Sequence, residues 1–367
     1  MSGPKDAIAL AEKVLTLLAE GSFSATYKYA LFIALLDLCL EQTSKRGAPP
    51  SVLTTRQLAE KTIELYWPHA IPFEGQAVLR QGGTHQGSQA EILRAIAGFR
   101  GRHAGSSTEL IFRARSRDEK GFEALVRLVE WKLIEMPIPR LQVLGGEEER
   151  FLYEYAWTRD IQRSEVSAYQ RRERSTFDNR LLLRPRVAQW FVQLNGVLRP
   201  LIQREWARMV AAMNGLPELR LEEFLFGASR ISLEAVRSPL RELQSGRCFY
   251  CDGQLGERSE VDHFIPWSRH PDNGLDNLVV AHDRCNNAKR DFLAAAEHVE
   301  RWAQRSRSLA GDLEDISQQR DWARDARKTL GVARAMYVRL PEDARLWQRE
   351  KTFEQAHKER IVEALAA

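Results

Sequence analysis

Apolar residues recur at helical spacing through most of the chain. In residues 4–19 they fall three and four positions apart, which predicts an amphipathic helix, and residues 25–43 are apolar on most sides, which predicts a buried one. Thr54 precedes Gln57 by three positions, the spacing of a capping box at a helix start. Further helical patterns lie at residues 56–67, 89–100, 119–133, 165–240 and 292–367. The pattern predicts a mainly α-helical protein.

Residues 140–155 (RLQVLGGEEERFLYEY) interrupt the helical pattern. Alternating residues on both sides of Gly145 and Gly146 predict two strands joined by a tight turn. A helix-rich segment that ends in such a hairpin is either a winged-helix DNA-binding domain or a helical domain with a peripheral hairpin. The sequence leaves both interpretations open.

Arginine is concentrated in residues 171–186 (RRERSTFDNRLLLRPR), at the start of a region expected to be helical. The segment contains Arg171, Arg172, Arg174, Arg180, Arg184 and Arg186, against Glu173 and Asp178. Such density suits a surface that follows phosphates, with Arg171, Arg172 and Arg174 as candidate nucleic-acid contacts. The alternative is a solvated helix face, which is the more common outcome for a run of charges.

Residues 292–367 are polar and are expected to be helical. Trp302, Trp322 and Trp347 are the expected anchors of their packing. His298 lies near the start of this region, and we expect it either to pack inside or to face solvent.

Composition adds limits on location and partners. The 367 residues carry a net charge of +4, which permits a polyanionic partner without requiring one. The longest apolar run, residues 29–40, is too short to cross a bilayer and contains Asp37. The N-terminus lacks the pattern of a secretory signal. We therefore expect a cytoplasmic protein with no membrane partner.

The four cysteines indicate a metal site. Cys39 lies inside the apolar run and is expected to be a buried thiol. The other three, Cys248, Cys251 and Cys285, fall within one short segment. A secreted disulfide scaffold would need more cysteines, spread more evenly, so this clustering favours a bound metal.

Two pairs of potential ligands share the same internal spacing. Cys248 and Cys251 form a CxxC pair, and His282 and Cys285 form an HxxC pair about thirty residues later. Two such pairs on tight turns can converge on one tetrahedral Zn²⁺ ion. Four protein ligands leave no open position, so the predicted zinc site is structural.

The residues between the two pairs predict a small αβ unit. Residues 260–266 (EVDHFIP) suit a strand that Pro266 ends, and residues 274–277 (GLDN) suit a turn. A second strand is predicted at residues 278–282 (LVVAH) and a helix over residues 285–302. The order is strand, loop, strand and helix, with the metal pairs at the base.

This order and these residues resemble the HNH endonucleases over residues 246–293. The matching residues are Asp262, His263, Pro266, Asn277, Leu278, Cys285, Asn286 and Lys289. The family usually has cysteine where this chain has His282, an exchange that zinc tolerates. The resemblance implies a ββα-metal fold, treble-clef-like, inside the mainly helical chain.

The resemblance also implies a role for each matching polar residue. His263 would be the general base, Asp262 and Asn286 would hold a catalytic Mg²⁺ or Mn²⁺ ion, and Asn277 would tie down the loop backbone. Lys289 and Arg290, one turn farther on, are candidate phosphate contacts. His270, in the loop between the strands, is a further candidate for contact with DNA. These roles together predict hydrolysis of phosphodiester bonds.

We therefore expect an HNH endonuclease acting on DNA, with double-stranded DNA favoured, in a prokaryotic defence or restriction setting. Two alternatives remain: a nuclease subunit that is active only within a partner complex, and a non-catalytic zinc-knuckle protein that binds nucleic acid. A homodimer or a defence-system protein is the expected partner. The expected divisions are a helical domain at 1–160, a helical binding region at 161–240, the nuclease domain at 241–297 and a helical region at 298–367.

Overall fold

The computed structural model describes residues 5–20, 24–82, 89–103, 110–227 and 232–366. The chain divides into two compact units. Unit 1 comprises Met1–Cys39 and Pro50–Gly227, and unit 2 comprises Leu40–Pro49 and Ala228–Ala367. The four-part division predicted from the sequence is finer than this one and stays a prediction.

Unit 1 is mainly helical, as predicted. Its described helices are α1 (Ala7–Glu20), α2 (Tyr27–Glu41, whose last two residues belong to unit 2), α3 (Thr55–Tyr66), α4 (Glu91–His103), α5 (Ile111–Arg117), α6 (Glu119–Glu135), α7 (Pro137–Leu141), α8 (Arg163–Gln170), α9 (Val187–Asn214) and α10 (Glu218–Phe226). Its described strands are β1 (Val52–Thr54), β2 (Pro72–Phe73), β3 (Ala77–Val78), β4 (Val143–Leu144), β5 (Glu147–Glu148), β6 (Tyr153–Tyr155) and β7 (Arg180–Leu183).

Helix α2 is buried, as its apolar sequence predicts. Cys39 is fully buried within it, which confirms the prediction of an internal thiol. Asp37 is buried too, and it forms an ion pair with the equally buried Arg199 of α9. Asn195, one turn earlier on α9, accepts a hydrogen bond from the Arg199 guanidinium at 3.2 Å. The charge within the apolar helix is therefore compensated inside the core, as a buried charge must be.

The start of α3 confirms the predicted capping box. The Thr54 hydroxyl accepts a hydrogen bond from the Gln57 backbone N–H at 3.2 Å, and the Gln57 side chain accepts one from the Thr54 N–H at 2.9 Å. These bonds satisfy donors that have no partner within the helix.

The predicted hairpin at residues 140–155 is present but much shorter. Strands β4 and β5 flank Gly145 and Gly146, whose φ angles of 58° and 88° suit the tight turn. Strand β6 leaves the hairpin and pairs with β7 in a three-stranded antiparallel sheet of order β1-β7-β6. The Gln142 side chain fixes the backbone just before β6, because its carbonyl oxygen accepts a hydrogen bond from the Leu152 N–H at 2.6 Å. The winged-helix interpretation stays a prediction.

The arginine-rich segment is not helical, which corrects the prediction of helix throughout residues 165–240. Helix α8 ends before Arg172, whose φ of 61° is incompatible with continuing the helix, and Arg180 already begins strand β7. The strand was missed because RLLL is too short to show alternation, although Leu181 is buried and Leu182 exposed.

Unit 2 contains four strands and a set of helices among its described residues. The helices are α11 (Glu234–Leu243), α12 (Asp283–Lys289), α13 (Ala296–Ser308), α14 (Ala310–Arg320), α15 (Ala326–Tyr337) and α16 (Lys358–Ala366), and the strands are β8 (Ser259–His263), β9 (Leu278–His282), β10 (Arg345–Arg349) and β11 (Thr352–Gln355). Trp302, Trp322 and Trp347 are buried, as predicted. The Trp302 ring stacks on Phe264, directly after β8, at 4.6 Å between centroids.

Two predictions for unit 2 are wrong. The helix expected over residues 285–302 is broken, because Arg290 adopts a φ of 48° and residues 293–295 run alongside β10. There the Ala295 N–H donates to the Trp347 carbonyl at 2.8 Å, and the Trp347 N–H donates to the Leu293 carbonyl at 2.9 Å. The hairpin β10–β11 itself lies in a region that was predicted to be helical.

Of the helices in the ranges described above, none is both long and apolar enough to span a membrane.

Candidate functional site

A two-stranded ribbon followed by a short helix forms the frame of the site. Strands β8 and β9 pair antiparallel, from Ser259 opposite His282 to His263 opposite Leu278. Helix α12 begins directly after β9, with His282 at its N-cap position. The predicted strand–loop–strand–helix order is confirmed, and it brings the ends of β8 and β9 together with α12.

The four predicted zinc ligands meet at the base of this frame. The ligand atoms of Cys248, Cys251, His282 and Cys285 all lie within 4.8 Å of one another. His282 Nδ1 is 3.3 Å from the Cys251 sulfur, while His282 Nε2 is 3.0 Å from the Gln254 carbonyl oxygen. A carbonyl only accepts, so Nε2 carries the proton and Nδ1 presents its lone pair to the cluster. Three sulfurs and one imidazole nitrogen are a donor set that suits Zn²⁺.

The first cysteine pair lies on a tight knuckle that collects N–H donors. The Cys248 N–H donates to the Gly253 carbonyl at 2.9 Å, and Asp252 between them has a φ of 58°. A hydrogen bond from the Cys285 thiol, joined by nearby backbone N–H groups including that of His282, lowers the pKa of the Cys248 thiol, and the same bond raises the pKa of the Cys285 thiol. A thiolate is the form that binds a metal, so the lowered pKa of Cys248 favours metal binding at its sulfur.

Asp262 is buried on β8 and held by two donors. The Tyr250 hydroxyl, from within the CxxC knuckle, donates to Asp262 Oδ2 at 2.5 Å, and Lys289 Nζ lies 3.0 Å from the same oxygen. Burial and the neighbouring carboxylate raise the pKa of Tyr250 well above its usual value. The phenol therefore keeps its proton and remains a donor that fixes the orientation of Asp262.

The position of Lys289 corrects the expectation that it contacts phosphate. The residue is fully buried, and its ammonium donates to the His263 carbonyl at 2.8 Å in addition to pairing with Asp262. The same ammonium lies 5.8 Å from the centre of the Tyr250 ring. Sequence reasoning assigned Lys289 to the surface because lysine is seldom fully buried unless it is paired. Arg290, the next residue, is exposed.

We expect Lys289→Met to destabilise unit 2 strongly. The substitution removes one partner of a buried ion pair, which typically costs about 3–5 kcal/mol because the remaining charge stays buried. The measurement is the shift in thermal unfolding of the zinc-loaded chain. Lys351→Met, at an exposed lysine between β10 and β11, is the control and should change stability by less than about 0.5 kcal/mol. Equal effects of the two variants would contradict the structural role of Lys289.

His263 and Asn277 lie at opposite ends of the loop that joins the strands. His263 is half-buried, and its Nε2 is 2.8 Å from the side-chain oxygen of Asn273. Asn277 is fully buried: its side-chain oxygen accepts from the Ile265 N–H at 2.8 Å, and its amide donates to the Asp272 carbonyl at 3.1 Å. Asn277, at the end of the loop, thus fixes Ile265 just after β8 and Asp272 in the middle of the loop.

Asn286 contacts a carboxylate that sequence reasoning missed. Its side-chain amide donates to Glu260 Oε2 at 2.7 Å. Glu260 and Asp262 are two positions apart on β8, so they share one face of the strand. The alternation in EVDH could have indicated from the sequence that Glu260 lies on the same face as Asp262. Carboxylate and amide oxygens are donors of the kind that Mg²⁺ prefers, so the chemical types of Glu260, Asp262 and Asn286 suit such an ion.

The two remaining histidines of this region are buried. His270 is 3% exposed and its Nε2 lies 3.3 Å from Glu41, so the expectation that it meets DNA is wrong. A histidine in a polar loop was expected at the surface, but this loop is covered by other parts of unit 2. His298 packs inside, as one of the two expectations stated, and its Nε2 donates to the Gln348 carbonyl at 2.7 Å.

The candidate arginines of the basic segment belong to unit 1. Arg171 is paired with Glu173 at 2.7 Å, and Arg180, farther along, is paired with Asp178. Arg172 and Arg174 are exposed. Part of the positive charge is therefore balanced locally, and the role of Arg171, Arg172 and Arg174 in nucleic-acid binding stays a prediction.

A ββα frame with a Cys₃His cluster at its base is the arrangement that the resemblance to the HNH endonucleases implies. The model of the family described as HNH endonuclease matches residues 248–295, which confirms the resemblance. The model of a second family, described as Domain of unknown function (DUF8808), matches residues 7–225. This match covers more than half of the chain, and the chain belongs to that family. No curated protein and no solved structure matched the chain.

Proposed function

We propose that this chain is a metal-dependent endonuclease that hydrolyses phosphodiester bonds in DNA, with double-stranded DNA as the favoured substrate. One observation carries the proposal: Asp262, His263 and Asn286 lie on a ββα frame whose base holds a zinc-type cluster, inside the region matched by the HNH endonuclease family. The three residues have the spacing of the family motif and also lie on its ββα frame, a combination that isolated residues of these types would rarely produce.

His263 is the proposed general base. Histidine exchanges protons near neutral pH, and a positioned base that takes the proton from the attacking water typically accelerates hydrolysis by about 10²–10⁴-fold. His263 is half-buried, so its ring is ordered by contacts yet retains access to solvent. The ring of Trp267 lies 5.4 Å away between centroids and shields one side of it.

Asp262 and Asn286 are the proposed holders of a Mg²⁺ or Mn²⁺ ion, which when bound neutralises charge on the non-bridging and leaving oxygens of the phosphate. Tyr250 and Lys289 orient the Asp262 carboxylate through Oδ2. Glu260 orients the Asn286 amide by accepting from its nitrogen, which turns the amide oxygen away from Glu260. These contacts order the oxygen donors before any ligand binds.

The remaining site residues have proposed structural and binding roles. Cys248, Cys251, His282 and Cys285 would hold a structural Zn²⁺ ion, and Asn277 would fix the loop that follows His263. The exposed side chain of Arg290 is a proposed phosphate contact, and Arg171, Arg172 and Arg174 are proposed contacts in unit 1.

The proposed setting is prokaryotic defence or restriction, because the large helical unit 1 differs from the short DNA-binding modules of homing enzymes. The ββα motif carries one set of catalytic residues, so a monomer should nick one strand. A double-strand break would require a homodimer or two successive events.

Plasmid cleavage tests the proposal. Purified chain incubated with supercoiled plasmid should produce nicked circles with Mg²⁺ or Mn²⁺ and none with excess EDTA. Nicking that appears only after a partner protein is added would favour a subunit of a complex. Plasmid binding without nicking, under every divalent ion tested and with partner proteins present, would contradict the enzyme and favour a non-catalytic binding protein.

A further inference from the structure

One contact of His263 involves a residue that played no part in the family resemblance. His263 Nε2 lies 2.8 Å from Asn273 Oδ1, ten residues along the loop. An amide oxygen has no hydrogen to donate, so the hydrogen of this bond belongs to Nε2. In the neutral ring the lone pair is then on Nδ1. The contact thus selects both the tautomer of His263 and the direction of its basic nitrogen.

We propose that Asn273 is a positioning residue for His263 and that residues after the HNH region, above all Trp322 between α14 and α15, hold the Asn273 loop in place. The inference rests on the proposed function, because it assigns Nδ1 of His263 as the atom that takes the proton from water. Asn273 acts only through His263.

The backbone of the Asn273 loop is held by residues beyond the matched region 248–295. The indole N–H of Trp322 donates to the Asn273 carbonyl at 2.7 Å. The next residue, Ala323, accepts from the Leu275 N–H at 2.9 Å. Trp322 is buried, so this bond is shielded from water.

Helix α13 holds the far end of the same loop. Trp302 donates its indole N–H to the Asp276 carbonyl at 2.8 Å, and the buried Arg305 guanidinium donates to the same carbonyl at 2.9 Å. Arg305 also donates to the Leu278 carbonyl at 2.6 Å. Arg324 pairs with the Asp276 carboxylate at 3.2 Å. The loop geometry is therefore set by side chains 26 to 49 positions away in the sequence.

The side chain and the backbone of Asn273 make different contacts, so the positioning of His263 can be tested without disturbing the fold of the loop. The side-chain oxygen of Asn273 faces His263, whereas its backbone carbonyl faces Trp322. A side-chain substitution leaves the backbone bond to Trp322 available, so Asn273→Leu should keep the loop folded while removing the acceptor for His263. Asn273→Asp keeps an acceptor oxygen of similar shape.

The test combines a spectroscopic reading of the ring with a rate. Long-range ¹H–¹⁵N NMR of the ¹⁵N-histidine-labelled, zinc-loaded full chain, recorded about two pH units above the ordinary histidine pKa of about 6.5, reports the tautomer of the neutral ring. His263→Gln identifies the resonance. The wild-type ring should carry its hydrogen on Nε2, Asn273→Leu should show a mixture of tautomers, and Asn273→Asp should restore the wild-type signal.

The single-turnover nicking rate should follow the tautomer. Loss of a partner that orients a metal-ligating histidine typically costs about 10–100-fold in activity, and we expect the same range for a partner that orients a general base. Asn273→Leu should therefore slow nicking by that factor, with DNA affinity unchanged, and Asn273→Asp should recover most of the rate. Trp322→Phe, which removes only the indole donor, should give a smaller decrease. Gln318→Ala, which removes an exposed amide from α14, should match the wild type.

Each outcome decides a different point. A wild-type ring with its hydrogen on Nδ1, or an Asn273→Leu variant with unchanged tautomer and rate, would overturn the role of Asn273. An unchanged rate and tautomer in Trp322→Phe would overturn the role of the Trp322 indole in holding the Asn273 loop. A wild-type chain that never cleaves DNA would instead refute the proposed function, and the NMR signal would still decide the tautomer.

Discussion

His263→Ala should abolish nicking while leaving zinc content, unfolding and DNA affinity at wild-type values. The proposed general base contributes about 10²–10⁴-fold, so the nicking rate should fall by at least about a hundredfold. The fold should persist because alanine retains the backbone contacts of His263, which are its pairing with Leu278 and the carbonyl that accepts from Lys289. Nicking rate, fluorescence anisotropy with labelled DNA and zinc content are the three measurements.

The control for this experiment is another histidine of the same unit. His357 is exposed just before α16, and His357→Ala should leave every measured quantity unchanged. Added imidazole should restore part of the activity of His263→Ala, because the substitution leaves space beside Trp267 for a small base. A His263→Ala rate within tenfold of the wild type would exclude this residue as the base.

The zinc cluster and the ββα order could be predicted because their determinants are local. CxxC and HxxC each lie within one turn of chain, and EVDH and LVVAH alternate clearly enough to indicate strands. Only the meeting of the two pairs at one site depends on distant residues, and the matching spacing of the pairs was enough to predict it. The strands β7, β10 and β11 were missed because segments as short as RLLL, RLWQR and TFEQ do not distinguish strand from helix.

The surroundings of the site could not be predicted because they depend on distant parts of the chain. Nothing near Lys289 indicates that it lies against Tyr250, which is almost forty positions earlier. The contact between Trp322 and Asn273 is likewise invisible until α14 and α15 are placed. The family that unit 1 matches is described as a domain of unknown function, so this match does not indicate what unit 1 does.

The second large effect is expected at the zinc cluster, where His282→Ala should release the metal and unfold the ββα motif. His282 is one of the four residues of the predicted zinc site, and its Nε2 contacts the Gln254 carbonyl next to the first knuckle. Structural zinc contributes about 10–16 kcal/mol of apparent binding free energy in zinc-finger peptides, and that energy stabilises the fold. Losing one ligand should lower zinc retention against a chelator by orders of magnitude, and should therefore also abolish nicking.

Hydrogen exchange distinguishes this effect from the loss of a catalytic group. Peptides from β8, β9 and α12 should exchange much faster in His282→Ala, while peptides from α3 serve as an internal reference. His282→Cys is the matched control, since it converts the second pair to CxxC and should retain zinc, fold and nicking. His263→Ala should show the opposite combination, with zinc and protection retained and cleavage lost. If His282→Ala kept its zinc and its protection, His282 would not be a zinc ligand, and the histidine beside Cys285 would need another role.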